Sequence, residues 1–221
     1  AKPGRDGRTL RDGSAVALKP SSPAPGRRPR VGLLGGSFNP AHIGHLHISR
    51  LALDLLKLDE IWWLVSPQNP LKPIDGMATH EDRMNGARAL TQGSKIRVSD
   101  LEREIGTQYT ADTLKALKGR FPRCRFVWIM GADNLATFHR WQNWRDIALT
   151  FPVAIVDRPG STLSYLSSKM AKTFDYARID ETDAALLPTL PAPAWTFLHG
   201  PRSPVSSTAI RNGDNRGVKK G

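Results

Sequence analysis

Short, mostly apolar runs alternate along the chain with longer stretches in which apolar residues recur every three or four positions. The runs fall at 31–34, 60–65, 96–98, 125–130, 153–156 and 195–198. Strands apolar on both faces belong to a sheet covered on both sides, usually a parallel one. The amphipathic stretches predict helices over 42–57, 81–92, 109–119, 134–138, 144–147 and 163–173. Strand then helix, repeated, is the signature of a parallel sheet with crossover helices. The predicted class is therefore α/β, with no internal repeat. Sheets of this kind bind ligands beyond the carboxyl ends of their strands, where the winding order reverses.

Outside this region the pattern stops. Residues 1–29 scatter Pro and Gly among Arg without apolar periodicity, which predicts a disordered basic extension ahead of one domain over 30–221. The 221 residues suffice for a single domain with a real core. The net charge of +12 suggests nucleic acid until it is divided: residues 1–30 carry +6 and residues 202–221 carry +4, leaving only +2 for the globular part. The basicity thus reads as solvated tails, and the core shows no basic stripe, which argues against nucleic acid as a partner. An RNA-binding protein acting through these tails is the alternative from another functional class. The single cysteine, Cys124, excludes an internal disulfide framework or a cysteine-rich zinc site and fits the reducing cytoplasm. No apolar stretch approaches the roughly 18 residues of a membrane span, so no membrane partner is expected. The N-terminus also lacks the apolar segment of a secretory signal.

The chemistry concentrates after the first strand, in Gly35-Gly36-Ser37-Phe38-Asn39-Pro40-Ala41-His42-Ile43-Gly44-His45. Gly35 and Gly36 would let the backbone turn tightly and approach a phosphate, and the helix that follows offers amides and a positive dipole end. His42 and His45, three apart, would share one face near the helix start, where imidazoles can stabilise charge growing on phosphate oxygens. A metal pair is the competing reading, but the next acid is Asp54 and no carboxylate lies near enough in sequence to complete a shell, so no protein metal site is expected. This segment resembles the first signature of the nucleotidyltransferase superfamily, which shares a doubly wound α/β fold with class I aminoacyl-tRNA synthetases. The resemblance implies a three-layer, doubly wound parallel sheet of Rossmann-like nucleotidyltransferase type, with His42 and His45 on the ATP phosphates.

Near the other end, Val205-Ser206-Ser207-Thr208-Ala209-Ile210-Arg211 reads as a loop entering a helix. Its hydroxyls are good N-caps, and with Arg211 they also form an anion cradle. It resembles the family's second signature, which implies that Ser206, Ser207, Thr208 and Arg211 grip the β and γ phosphates. The family usually continues through another helix, whereas ten residues follow Arg211 here, so a short final helix is expected.

Three further segments resemble the nicotinate mononucleotide adenylyltransferases. They are Ser66-Pro67-Gln68-Asn69-Pro70-Leu71-Lys72, Tyr109-Thr110-Ala111-Asp112-Thr113-Leu114, and Gly131-Ala132-Asp133-Asn134-Leu135 with Trp141-Gln142-Asn143-Trp144 beyond it. Lys72 could neutralise a 5′-phosphate or be only solvated. Thr110 could be an N-cap or bind a pyridine carboxylate. Trp141 could stack on a pyridinium ring, or it and Trp144 could be core residues three apart on one helix. By the resemblance, Trp141 takes the stacking position and Trp144 the packing one. Gly35, Gly36, Ser37, Phe38, Gly131 and Asp133 join the phosphate motifs in an ATP site, and Asn39, Asn69, Lys72, Thr110 and Trp141 form the nicotinate-nucleotide site. The implied reaction moves the adenylyl group of ATP to nicotinate mononucleotide, with Mg²⁺ carried by the ATP phosphates. A homo-oligomer is left open. The nearest rival, a pantetheine phosphate adenylyltransferase, shares both signatures but usually has Thr where His42 stands and lacks the Trp141 segment.

Overall fold

A computed structural model of the chain describes residues 18–21, 23–67, 76–157 and 167–200. Six strands form one parallel sheet: β1 (Arg30–Gly36), β2 (Glu60–Val65), β3 (Ile96–Ser99), β4 (Arg125–Gly131), β5 (Val153–Val156) and β6 (Trp195–Leu198). Their order is β3-β2-β1-β4-β5-β6, so the chain winds outward from β1 to one edge, returns, and winds outward to the other. The reversal lies between β1 and β4, which makes the gap beyond Gly36 and Gly131 the expected ligand crevice.

The helices follow from the same alternation. They are α1 (Ile43–Leu55), α2 (His80–Thr91), α3 (Leu101–Glu104), α4 (Thr110–Arg120), α5 (Ala132–Phe138), α6 (Trp144–Thr150) and α7 (Lys169–Thr173), with two 3₁₀ segments at Asp175–Ala177 and Glu181–Thr189. Successive strand residues point to opposite faces. Val31, Leu33, Trp62, Leu64, Phe126, Trp128 and Met130 face the core shared with α4, α5, α6 and α7. Leu34, Ile61, Trp63, Val65, Val127 and Ile129 face the core shared with α1, α2 and the long 3₁₀ segment. The sheet is therefore the middle of three layers, and β2, β4, β5 and β6 are buried almost throughout.

The differences from the sequence reading are local. Four-residue α3 and the 3₁₀ segments carry too few turns to leave a helical period in the sequence. The helix expected over 163–173 is seen as Lys169–Thr173, and residues 163–166 lie outside the described residues. The basic extension was expected to stay structureless up to residue 29, yet Leu18 is buried in the first core. Ser21 hydrogen-bonds buried Glu60, the Arg97 side chain donates to the Lys19 carbonyl, and Arg27 pairs with Asp59. One apolar side chain and a few scattered polar partners have no period, so sequence pattern cannot reveal this packing.

Candidate active site

β1 delivers the first motif to the crevice. Gly35 and Gly36 are still in the strand, so they do not form the turn expected of them. A Cβ on Gly35 would come within 2.5 Å of the Trp128 indole, which lies beneath it from the neighbouring strand. The missing side chain thus serves close packing. The turn falls at Phe38, whose φ of 46° lies in the left-handed region that ordinary residues avoid. Surrounding packing holds it there: the ring is 1% exposed, stacks on Trp63 at 4.8 Å and lies 4.8 Å from the His45 ring. Phe38 therefore supports His45 with its side chain rather than lining the crevice.

The two imidazoles close the N-terminus of α1 on themselves. His42 is the N-cap, its Nδ1 accepting from the Gly44 amide at 3.0 Å, and His45 Nδ1 accepts from the His42 amide at 3.2 Å. This reciprocal capping box satisfies two amides that a helix start leaves unpaired. It also decides the tautomer, because a neutral ring accepting at Nδ1 carries its proton on Nε2. The rings lie 3.9 Å apart, and His42 is 4% exposed. Two ring donors are thereby held rigidly at the crevice, with a positive helix end behind them.

A cavity of about 500 Å³ opens beside them, at the carboxyl ends of the strands. Of the residues expected in the site, it gathers Gly35, Gly36, Ser37, Thr110 and Trp141, together with Ser66, Glu102, Gln108, Tyr109, Trp128, Arg140 and Gln142. Thr110 is the first helical residue of α4; Tyr109 holds the cap position, so the N-cap alternative is set aside. Trp141 and Trp144 are not on one helix, because Asn143 in the left-handed region starts α6 between them. Trp144 is buried core, whereas Trp141 is half-buried against Phe138 and faces the cavity. Gly131 ends β4 as the cap residue of α5, and exposed Asp133 sits in that helix's first turn, across the crevice from the glycines of β1.

Asn39, expected among the nucleotide contacts, reaches the segment before α2: its Nδ2 donates to the Gly76 carbonyl and its Oδ1 accepts from the Ala78 amide. Asn69, Lys72, Ser206, Ser207, Thr208 and Arg211 lie outside the described residues. Among the described residues, no group of three or more His, Cys, Asp or Glu side chains could hold a metal ion.

Two residues that sequence reasoning passed over organise the site. Arg83, on α2 and 3% exposed, donates to the carbonyls of Ser37, Ser66, Pro67 and Ala78 and approaches His80 Nδ1 at 3.2 Å. His80 in turn contacts Asp100 at 2.5 Å. Burial lowers the Arg83 pKa from its ordinary value, with Asp100 opposing the shift. Its signal in sequence was a single cation on the face that also carries Met84, Ala87 and Thr91. Glu102, on α3, is buried, and burial pushes its carboxyl up to about 7 against the pull of the Ser66 and Thr113 hydroxyls. Its only signal was an acid shortly past a strand's carboxyl end.

A family described as cytidylyltransferase-like matches residues 33–213. A Rhizobium etli protein named "Probable nicotinate-nucleotide adenylyltransferase" is 56% identical over 183 residues, covering 83% of this chain and 95% of its own. An Agrobacterium fabrum protein of the same name is 57% identical over 182 residues, covering 82% of this chain and 97% of its own. Among solved structures, the nicotinic acid mononucleotide adenylyltransferase of Plasmodium falciparum complexed with NaAD superposes with a TM-score of 0.64 at 20% identity, covering 87% of each chain, which is a likeness of fold.

Proposed function

The chain belongs to the nicotinate-nucleotide adenylyltransferases, within the cytidylyltransferase-like family, and from that premise we propose how its residues carry the reaction. The enzyme transfers the adenylyl group of ATP to nicotinate mononucleotide, giving deamido-NAD and pyrophosphate. An oxygen of the acceptor's 5′-phosphate attacks the α-phosphorus of ATP; the new P–O bond forms as the bond to the β-phosphate bridging oxygen breaks, and no covalent enzyme intermediate is needed. Such transfers are accelerated by alignment and by stabilising charge on the phosphate oxygens. The supporting observation is the capping box that holds the His42 and His45 rings with Nε2–H as donor at the switch point. These two donors are assigned to the ATP phosphates, together with Ser206, Ser207, Thr208 and Arg211. Gly35, Gly36 and Ser37 let the nucleotide approach the backbone, Phe38 braces His45, and Gly131 and Asp133 receive the adenylate side. Mg²⁺ arriving with ATP would neutralise charge on the phosphate oxygens.

The acceptor occupies the neighbouring cavity. Trp141 stacks on the pyridinium ring, Thr110 at the start of α4 meets its carboxylate, and Asn69 and Lys72 meet the 5′-phosphate. Asn39 acts by holding the segment that returns from that loop at Gly76 and Ala78. The domain is assigned to residues 30–221, with Leu18, Lys19, Ser21 and Arg27 making contacts to it. No described helix is long and apolar enough to cross a membrane; a cytoplasmic location belongs to the proposal. The test is pyrophosphate release with ATP and Mg²⁺ and, in parallel, nicotinate mononucleotide, nicotinamide mononucleotide and phosphopantetheine. Preference for the nicotinate substrate is expected. Preference for phosphopantetheine would retain the ATP site and overturn the acceptor assignment.

A further inference from the structure

Two buried side-chain atoms lack a hydrogen-bond partner among the described residues, Glu102 Oε2 and Trp128 Nε1. Both residues line the same cavity, the one assigned to the acceptor nucleotide. Neither residue is more than 5% exposed. Leaving a buried donor or acceptor unpaired costs free energy that native structures seldom bear without reason. Three other indoles show the usual arrangement: Trp62 donates to Glu60, Trp63 to Ser49 and Trp195 to the Phe174 carbonyl. Trp128 could have been a phenylalanine if only apolar bulk were needed beneath Gly35. Glu102 could have been a leucine or methionine like its buried neighbour Leu101.

The chemistry of the acceptor says what each atom can meet. At neutral pH nicotinate mononucleotide carries a carboxylate and an ionised phosphate, which only accept hydrogen bonds. Its hydrogen-bond donors are then the 2′- and 3′-hydroxyls of the ribose. A carboxylate oxygen in the pocket can be satisfied by the ligand only through those hydroxyls, whereas an indole N–H can be satisfied by any of the ligand's oxygens. We propose that Glu102 and Trp128 are specificity-determining residues of the acceptor pocket, Glu102 Oε2 accepting from a ribose hydroxyl and Trp128 Nε1–H donating to an oxygen of the same nucleoside. The inference rests on the acceptor assignment above. It adds that the pocket selects the ribose as well as the pyridine ring. With its carboxyl titrating near 7, Glu102 acts as a pure acceptor in mildly alkaline solution.

The test uses the full chain at about pH 8, where Glu102 is ionised. Glu102→Met removes the acceptor at similar volume, and Glu102→Gln restores an acceptor oxygen without charge. Glu102→Met raises the KM for nicotinate mononucleotide about tenfold or more, while the KM for ATP moves less than about threefold; Glu102→Gln falls between. With 2′-deoxy and 3′-deoxy acceptors, one analogue loses affinity on the wild type and loses little more on Glu102→Met, which marks the hydroxyl that Glu102 meets. A structural residue behaves otherwise: both KM values would rise together and the ligand-free protein would melt earlier. Here Glu102→Met melts no earlier, because losing the contacts with the Ser66 and Thr113 hydroxyls is offset by removing a buried carboxyl with an unpaired oxygen. An unchanged acceptor KM in Glu102→Met, or equal losses with both deoxy analogues in wild type and variant, overturns the proposal. Should Glu102→Met fail to fold, Glu102→Gln decides alone, with a rise in acceptor KM of about threefold expected and no rise contradicting. If the wild type does not use nicotinate mononucleotide at all, the acceptor assignment fails first and this inference falls with it.

Discussion

Glu102 shows how one residue can work against the fold that carries it. Burial favours its protonated form, so its pKa in the folded chain is about 7, raised from an ordinary 4.5. Below the ordinary value both folded and unfolded chains are protonated and the residue costs nothing electrostatically. As pH rises through the interval, the unfolded chain loses its proton first, and stability falls until the folded pKa is passed. The interval corresponds to about 3.5 kcal/mol at most, since each unit is about 1.4 kcal/mol. Glu102→Gln abolishes the titration. The unfolding free energy of the ligand-free variant therefore gains on the wild type between about pH 5 and pH 8, by about 2–3 kcal/mol, as read from urea titrations at the two values. Parallel behaviour at both pH values would show that the carboxyl is not held above its ordinary range. His42 and His45 do the opposite, since their Nδ1 atoms stabilise the start of α1 and leave to Nε2 the proton proposed to meet the phosphates.

At the scale of elements, the site depends on a helix that touches no proposed ligand. α2 offers Arg83, whose guanidinium gathers the carbonyls of Ser37, Ser66, Pro67 and Ala78, and so ties the ends of β1 and β2 to the turn before α2. Planar, multidentate donation of this kind is beyond a lysine ammonium. Arg83→Met leaves four part-buried carbonyls without their donor, and a loss of about 3 kcal/mol or more of unfolding free energy is expected in urea titration, with Arg83→Lys recovering only part. A loss below about 0.5 kcal/mol would show that these carbonyls find other partners. The elements also show why some features were legible and others hidden. All six strands and the long helices follow from apolar runs and amphipathic periods, because a layer buried on both faces leaves no room for polar interruptions. α3, the 3₁₀ segments and the packing of residues 18–29 arise from tertiary contacts that have no period. The alternative that Trp141 and Trp144 are core residues three apart on one helix is set aside, because left-handed Asn143 starts α6 between them and only Trp144 is core.

At the scale of the whole molecule, sequence order and spatial order differ in a way that builds the site. β1 lies at the centre of the sheet, so the motif that follows it emerges where the two halves part, opposite Gly131 at the end of β4. The candidate site was legible where a local motif places residues at the crevice: the histidines at the start of α1, and the glycines, Thr110 and Trp141 on the cavity wall. It was not legible where distant residues meet, as Arg83, Glu102 and Trp128 do, since a single buried charge or indole looks the same in sequence whether it faces a helix or a cavity. The central claim is that the pinned imidazole pair at this crevice stabilises adenylyl transfer. Its most direct measurement is the steady-state rate of pyrophosphate release from ATP and nicotinate mononucleotide by His45→Ala and His45→Asn. Asn can still accept the His42 amide but lacks the Nε2–H donor, so it separates capping from catalysis. The account predicts that kcat falls about 100-fold or more in both variants, with stability lost chiefly in the alanine one. Near-normal turnover by folded His45→Asn would contradict it.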